Sequence, residues 1–473
     1  MIGRKKEINT LLKARDSVES EFVAVYGRRR VGKTFLVRET FDRKFTFEHS
    51  GVARKSNRIQ LRMFRKSLMA FGYVGCPPLK DWFDAFDGLK KVIADSAAEK
   101  KLVFIDEVPW MDRPGSDLLS ALEHFWNSWA SARKDVLLVI CGSATSWMLN
   151  KVIHDRGGLH NRVTYRIRVD PFTLSECEEY ADYLGLEVTR RQLVEYYMAL
   201  GGVAYYWKFL ERGLSVAQNM DSLFFMGDEK LEDEFDELYS SLFVRKEPFV
   251  KLITALGSRK SGMTRDELSE ATGLGNSGTM TRRLKELEKC GFIRKYSMCG
   301  RRTRGAVYQL IDNFTLFHFR FVAENRKHDR HFWTNSLDAG FKAAWEGLSF
   351  EIVCLEHVNA IKSALGISGV SSNEYAWRCQ HPESPEDKGA QIDLLIDRKD
   401  GIINLCEMKF TSEPYALTEE DETKLIHRKN LFKRENDIDK AIHLTMVTSS
   451  GVKMNRYAGS IQAFVTLDEL FGE

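Results

Sequence analysis

One eight-residue stretch, GRRRVGKT from Gly27 to Thr34, restricts what this chain can fold into more than any other. It follows a short apolar run, Phe22 to Tyr26, and precedes FLVRETF, whose apolar residues return at helical spacing, so strand, loop and helix are expected in that order. A G-x-x-x-x-G-K-[ST] loop in that setting aims backbone N–H groups and the positive end of a helix at polyphosphate. On this reading Gly27, Arg28, Arg29, Arg30, Val31, Gly32, Lys33, Thr34 and Phe35 bind a nucleotide, with Lys33 on the outer phosphates and Thr34 on Mg²⁺. ATP and Mg²⁺ are the expected ligands.

A second apolar strand, Leu102 to Glu107, ends in two carboxylates. There Asp106 suits holding magnesium through water and Glu107 suits polarising the attacking water. A third strand begins at Val136 and runs to hydroxyls in ICGSATS. Ser143 or Thr145 is in a position to sense the γ-phosphate, and Ser143 can equally cap the next helix.

Together, IGRKKEI, GRRRVGKT, FIDEVPW, ICGSATSWM and GGLHNR resemble the archaeal ATPase family within the STAND and AAA+-like P-loop NTPases. The resemblance implies that Arg4, in a Gly-Arg-x-x-Glu element with Gly3 and Glu7, lies near the base. It also implies that Arg162 approaches the γ-phosphate, and it assigns catalytic roles to Lys33, Asp106, Glu107 and Ser143. The family's Gly-Gly-x-Pro turn reads GGVA here, with Ala204 at the proline position.

The chain has 473 residues, enough for three or four globular units. No run of about 18 uncharged apolar residues occurs, so a membrane span is not expected. Eight dispersed cysteines without a C-x-x-C pair suit a reducing, cytoplasmic setting, with most of them buried as small hydrophobes. His154, His160, His318, His328 and His331 show no metal-ligand spacing.

Net charge is only +3, so any nucleic-acid surface must be local. Between Ser277 and Gly305 nine basic residues face two acidic ones, a net of +7, and the rest of the chain is slightly acidic. This stretch follows a helix from Glu247, a capping box Thr264/Glu267 and a stop at Gly273, and it contains a helix with Met280, Leu284 and Leu287 on one face, then a hairpin. The pattern resembles a winged helix-turn-helix. It implies DNA contact by Arg282, Arg283 and Lys285 from the second helix and by Arg301, Arg302 and Arg304 from the wing. The competing reading is a protein-docking module with solvated charge.

Upstream, Thr173/Glu176 opens a set of helices expected to form a lid. Downstream, a long helix carrying Glu346 and Glu351 precedes strands holding Asp393, Glu407 and Lys409. Glu407 and Lys409 share a strand face, and the hairpin can bring Asp393 beside them. Two carboxylates for Mg²⁺ and an amine to orient water are what phosphodiester hydrolysis needs. The region resembles the PD-(D/E)xK nuclease superfamily, whose restriction-endonuclease-like fold often adds a helix glutamate to the metal. GLSFE favours Glu351 over Glu346 for that place.

The expected fold class is multidomain α/β: a P-loop parallel-sheet core over 1–170, a helical lid over 171–245, a winged helix over 246–312, a connecting helical segment over 313–338 and a nuclease-like domain over 339–473. The expected protein is an ATPase coupling nucleotide state to DNA binding and metal-dependent cleavage. The alternative is an ATP-switched scaffold whose nuclease-like domain is silent. A homo-oligomer is compatible with either.

Overall fold

The computed structural model describes residues 2–143, 145–153, 159, 161–226, 230–231, 233–243, 245–296, 306–325, 329–336, 340–379 and 389–472. The chain divides into two compact units, Met1–Pro171 and Phe172–Glu473.

In the first unit β1 (Glu21–Tyr26), β2 (Phe47–Ser50), β3 (Lys101–Asp106), β4 (Val136–Gly142) and β5 (Tyr165–Arg168) form a parallel sheet in the order β2-β3-β4-β1-β5. Parallel strands are joined by crossovers that cover both faces, which is why β4 reads as an unbroken apolar run and is buried throughout. Val23, Val25, Phe104 and Val139 face Leu11, Leu36 and Val37 of the helices Lys5–Arg15 and Lys33–Thr40. Phe22, Ala24, Ile105 and Leu138 face the helices Asn57–Ala70, Trp82–Asp95 and Leu118–Ser128. In register, Tyr26 lies beside Gly142 and Ile105 beside Ile140, so the ends of β1, β3 and β4 share one edge. Ligands of open parallel sheets gather at that carboxyl edge.

The second unit opens with the helices Leu174–Leu184 and Arg190–Leu200, each started by a complete capping box. Such a cap is worth ~1 kcal/mol. Gly202 then passes so close to Phe172 that a Cβ there would lie 1.9 Å from the Phe172 carbonyl oxygen. The Gly-Gly turn is thus required by backbone packing, whatever residue occupies position 204.

Three helices follow, Glu247–Gly257, Arg265–Thr272 and Gly278–Lys289, with β6 (Met263–Thr264), β7 (Ile293–Tyr296) and β8 (Val307–Leu310) paired antiparallel in the order β6-β8-β7. Met280, Leu284 and Leu287 are fully buried, as their spacing predicts. The aromatic-rich segment after β8 is a packing hub: Phe317 lies against Phe224, Phe321, Trp333 and Trp345 at centroid distances of 4.7 to 5.9 Å.

The helix Gly340–Glu356 leads to β9 (Ser372–Cys379), β10 (Ala390–Arg398) and β11 (Ile402–Lys409). A small ladder pairs β12 (Tyr415–Ala416) with β14 (Val452–Lys453), and the helix Glu419–Glu435, β13 (Ala441–Thr448) and β15 (Ala463–Thr466) complete the chain. The sheet order is β15-β13-β11-β10-β9, parallel from β15 to β11 and antiparallel beyond. One buried cluster runs from Leu174 through Leu284 and Phe317 to Val465, so the second unit shares a core from end to end. No helix among the described residues is long and apolar enough to cross a membrane.

Candidate functional sites

The loop after β1 is shaped by contacts that exclude side chains. A Cβ at Gly27 would sit 2.1 Å from the Val169 carbonyl oxygen, and Gly32 enters its helix at φ +90°. Arg30 also has positive φ, 71°, a conformation a non-glycine residue adopts at a cost. Lys33 is buried and donates to the carbonyls of Gly27 at 3.1 Å and Arg28 at 2.7 Å. Its ammonium is therefore held over the loop by two neutral acceptors that phosphate oxygens can replace.

Thr34 Oγ1 donates to Asp106 Oδ2 at 2.7 Å, joining the helix after the loop to the end of β3. Glu107 sits in left-handed backbone, φ 48°, and its N–H binds Asp106 Oδ1 at 2.9 Å. Its carboxylate accepts from Ser143 Oγ at 3.0 Å and Ser143 N–H at 3.4 Å, across the end of β4. Burial raises the Glu107 pKa, with Lys33 opposing the rise and Asp106 adding to it. A partly desolvated carboxylate with a hydroxyl donor on it is suited to orienting a water.

In the second unit, β10 and β11 pair Leu394 with Cys406, and Asp393 and Glu407 are the next residues along each strand. Glu407 binds Lys409 Nζ at 2.8 Å and Arg428 Nη1 at 2.5 Å. Asp393 Oδ1 accepts from Gln391 Nε2 at 2.5 Å. Glu351 binds Lys260 Nζ at 2.6 Å. Burial, then the Asp393 charge, push Glu351 up to about 7, with Lys260 opposing and Glu407 adding to the rise. The three carboxylates thus feel one another through a poorly hydrated space. Glu346 lies elsewhere, beside Lys342 at 3.7 Å and within reach of the Glu195 charge.

Residues 1–208 match the ATPase domain family found predominantly in Archaea. The first unit is an archaeal-type ATPase domain. A relative, the protein MJECL04 of Methanocaldococcus jannaschii, is 24% identical over 334 residues, spanning 68% of this chain and 69% of its own length. Among solved structures, the Walker-type ATPase PABY2304 of Pyrococcus abyssi is 15% identical, covering 68% of this chain and 96% of its own, with a TM-score of 0.49. The ORC2 protein of Aeropyrum pernix, in its ADPNP and ADP complexes, is 13% identical over 67% of this chain and 92% of its own, with a TM-score of 0.38.

Within the ATPase domain, the structure joins Lys33 and Gly27 directly, as it does Thr34 with Asp106 and Glu107 with Ser143. Arg4 is buried, with Nη2 3.4 Å from the Val31 carbonyl, so it braces the loop. Gly32, Val31 and the buried Arg28 belong to the same loop, with Arg29 half-buried. Phe35, expected at the nucleotide, is 56% exposed and packs on no described ring. Arg162 is exposed, and its guanidinium makes no hydrogen bond or ion pair with a described residue. Nothing therefore links it to the loop.

Arg282 and Lys285 are exposed and Arg283 half-buried, opposite the apolar face of their helix, and none forms an ion pair among the described residues. Arg301, Arg302 and Arg304 lie outside the described residues. One expectation needs correction. Among the described residues no group of three or more His, Cys, Asp or Glu is gathered closely enough to hold a metal ion. The expected metal set of Glu351, Asp393 and Glu407 has the right oxygen chemistry for Mg²⁺ but not the placement, because protein donors occupy each carboxylate.

Three residues went unnoticed in the sequence. Lys260 and Arg428 bind the acidic side chains, and Arg294 is a deeply placed guanidinium whose pKa burial lowers and Asp393 raises. Lys260 precedes its partner Glu351 by 91 residues and carries no local pattern that would single it out.

Proposed function

We propose that this protein is an ATP-driven switch that acts on DNA, in which the ATPase domain controls a basic winged helix and a nuclease-like C-terminal domain. Thr34 and Asp106, hydrogen-bonded at 2.7 Å, are oxygen donors of the kind Mg²⁺ takes, so this pair would hold the ion, which supplies charge neutralisation on the β- and γ-phosphates. Lys33 exchanges the Gly27 and Arg28 carbonyls for phosphate oxygens. Glu107, its carboxylate anchored by Ser143, orients the attacking water and takes up its proton. Arg162 remains a proposal for the γ-phosphate.

The observation that carries the DNA-directed part is the Asp393, Glu407, Lys409 constellation, where the pair Glu407–Lys409 closes at 2.8 Å beside Asp393. Strand order and the helix carrying Glu351 support a restriction-endonuclease-like reading of that sheet. The exposed Arg282, Arg283 and Lys285 support contact with a phosphate backbone. Nicking of supercoiled plasmid by the full chain with divalent metal and ATP, compared with Asp393→Ala, tests the reading. Equal inertness of both across duplex, nicked and single-stranded substrates rejects cleavage.

A second reading, an ATP-switched DNA-binding scaffold, is favoured by one observation. Glu351 and Glu407 are already neutralised by protein cations. Under it, nucleotide-dependent DNA binding persists while Asp393→Ala changes nothing.

A further inference from the structure

The acidic cluster is balanced by the protein itself. Three carboxylates, Glu351, Asp393 and Glu407, meet three cations, Lys260, Lys409 and Arg428. Entry of a divalent ion would leave that space over-supplied with positive charge unless one cation withdrew.

The three cations differ in how they are mounted. Lys409 lies on β11 two residues from Glu407, and Arg428 comes from the helix Glu419–Glu435, which packs on the same sheet through Leu425, Leu431 and Phe432. Lys260 alone of the three comes from outside the C-terminal sheet and its helices. It stands in the turn between the helix Glu247–Gly257 and β6. Its side chain is 45% exposed whereas that of Glu351 is 17% exposed, so the amine has an open route to water that its partner lacks.

The turn is fixed to the small sheet that carries the basic hairpin. Gln309 Nε2 donates to the Lys260 carbonyl at 2.9 Å and Tyr296 Oη to the Ser261 carbonyl at 2.7 Å. Gly262, at φ +69°, passes so near Tyr308 that a Cβ would lie 2.4 Å from its carbonyl oxygen. Toward the C-terminal sheet the turn has fewer ties: the Lys260–Glu351 pair, and Arg378 Nη1 to Ser261 Oγ at 3.1 Å. A shift of β6, β7 and β8 would carry Lys260 with it and leave Glu351 behind.

We propose that Lys260 is a tethered stand-in for a divalent cation, a removable counter-ion that the winged helix inserts among Glu351, Asp393 and Glu407. The inference rests on reading those carboxylates as a metal site. It adds that the DNA-binding module is also the lock on that site. Metal and Lys260 are alternatives, and displacement of the turn sets which one is present.

The test is Mn²⁺ binding to the full chain without nucleotide, by titration calorimetry and by the electron paramagnetic resonance signal of free Mn²⁺. Lys260→Gln should bind Mn²⁺ roughly five- to tenfold more tightly than wild type, since a half-exposed ion pair is a modest competitor. Asp393→Asn in the Lys260→Gln background should remove the gain, and Lys260→Arg, which keeps the charge, should resemble wild type. Lys260→Gln binding no tighter than wild type overturns the proposal, as does Lys260→Arg matching Lys260→Gln. In that event Asp393→Asn alone separates the two ideas. If it abolishes a Mn²⁺ site of the wild type, the metal reading survives without the lock. If it changes nothing, the metal reading fails as well.

Discussion

Ser143 donates its hydroxyl hydrogen to Glu107 across 3.0 Å, tying the end of β4 to the carboxylate that follows β3. The bond stabilises the charged form of Glu107 against the desolvation that raises its pKa. Ser143→Ala should therefore move the acid limb of the kcat profile to higher pH, because the carboxylate then holds its proton more tightly. The expected loss in kcat at neutral pH is about tenfold, with ATP affinity unchanged. A profile that keeps its acid limb in place, measured by steady-state ATP hydrolysis across pH, contradicts the role.

Glu107→Gln keeps the shape and the Ser143 contact but removes the base. We expect ATP binding close to wild type and hydrolysis lower by ~10²-fold or more. Lys33→Ala removes the ammonium now held at 2.7 Å from the Arg28 carbonyl, and with it the thermal stabilisation that ATP and Mg²⁺ give the wild type. A normal ATP-induced shift in Lys33→Ala would place the phosphates elsewhere.

His49 provides a pH test of the ATPase domain's stability. It is buried against Phe64 with Nδ1 2.9 Å from Ser67 Oγ, and burial pulls its pKa from 6.5 down to about 4. The folded state therefore prefers the neutral ring, whereas the unfolded chain takes up a proton below pH 6.5. Stability is full above that value and is lost as pH falls toward about 4, by up to ~3 kcal/mol. His49→Gln cannot protonate, so its melting temperature should fall less than that of wild type between about pH 7.5 and 5.

The nucleotide site was legible because its parts are local. A loop with fixed glycine spacing and an acidic strand end each announce themselves within eight residues, and Thr34 and Asp106 meet as expected. The strands β2 and β5 were not legible: FEHS and YRIR are short edge strands with little apolar content, and they owe their place to β3 and β1. The capping boxes at Thr173 and Thr264 were readable from three-residue spacing. Lys260 and Arg428 were not, since cations at a long-range site look in sequence like any solvated lysine or arginine.

DNA binding by the helix Gly278–Lys289 predicts a salt signature. Reversing Arg282, Arg283 and Lys285 to glutamate should weaken duplex binding and lower the log–log salt slope by about 0.9 for each phosphate that is no longer neutralised. All three lie away from Met280, Leu284 and Leu287, so folding should be unaffected, which circular dichroism checks. An unchanged slope would assign this surface to a protein partner.

The central claim is that nucleotide state governs DNA engagement. A ligand moves such an equilibrium only through different affinity for its two states, and typical coupling amounts to ~1–3 kcal/mol. The most direct measurement is duplex DNA affinity of Glu107→Gln saturated with ATP and Mg²⁺ against Lys33→Ala under identical conditions, with nucleotide occupancy confirmed in the first and absent in the second. The account predicts dissociation constants that differ by roughly five- to 150-fold. Equal dissociation constants would contradict it, leaving an ATPase domain and a DNA-binding module joined by chain alone.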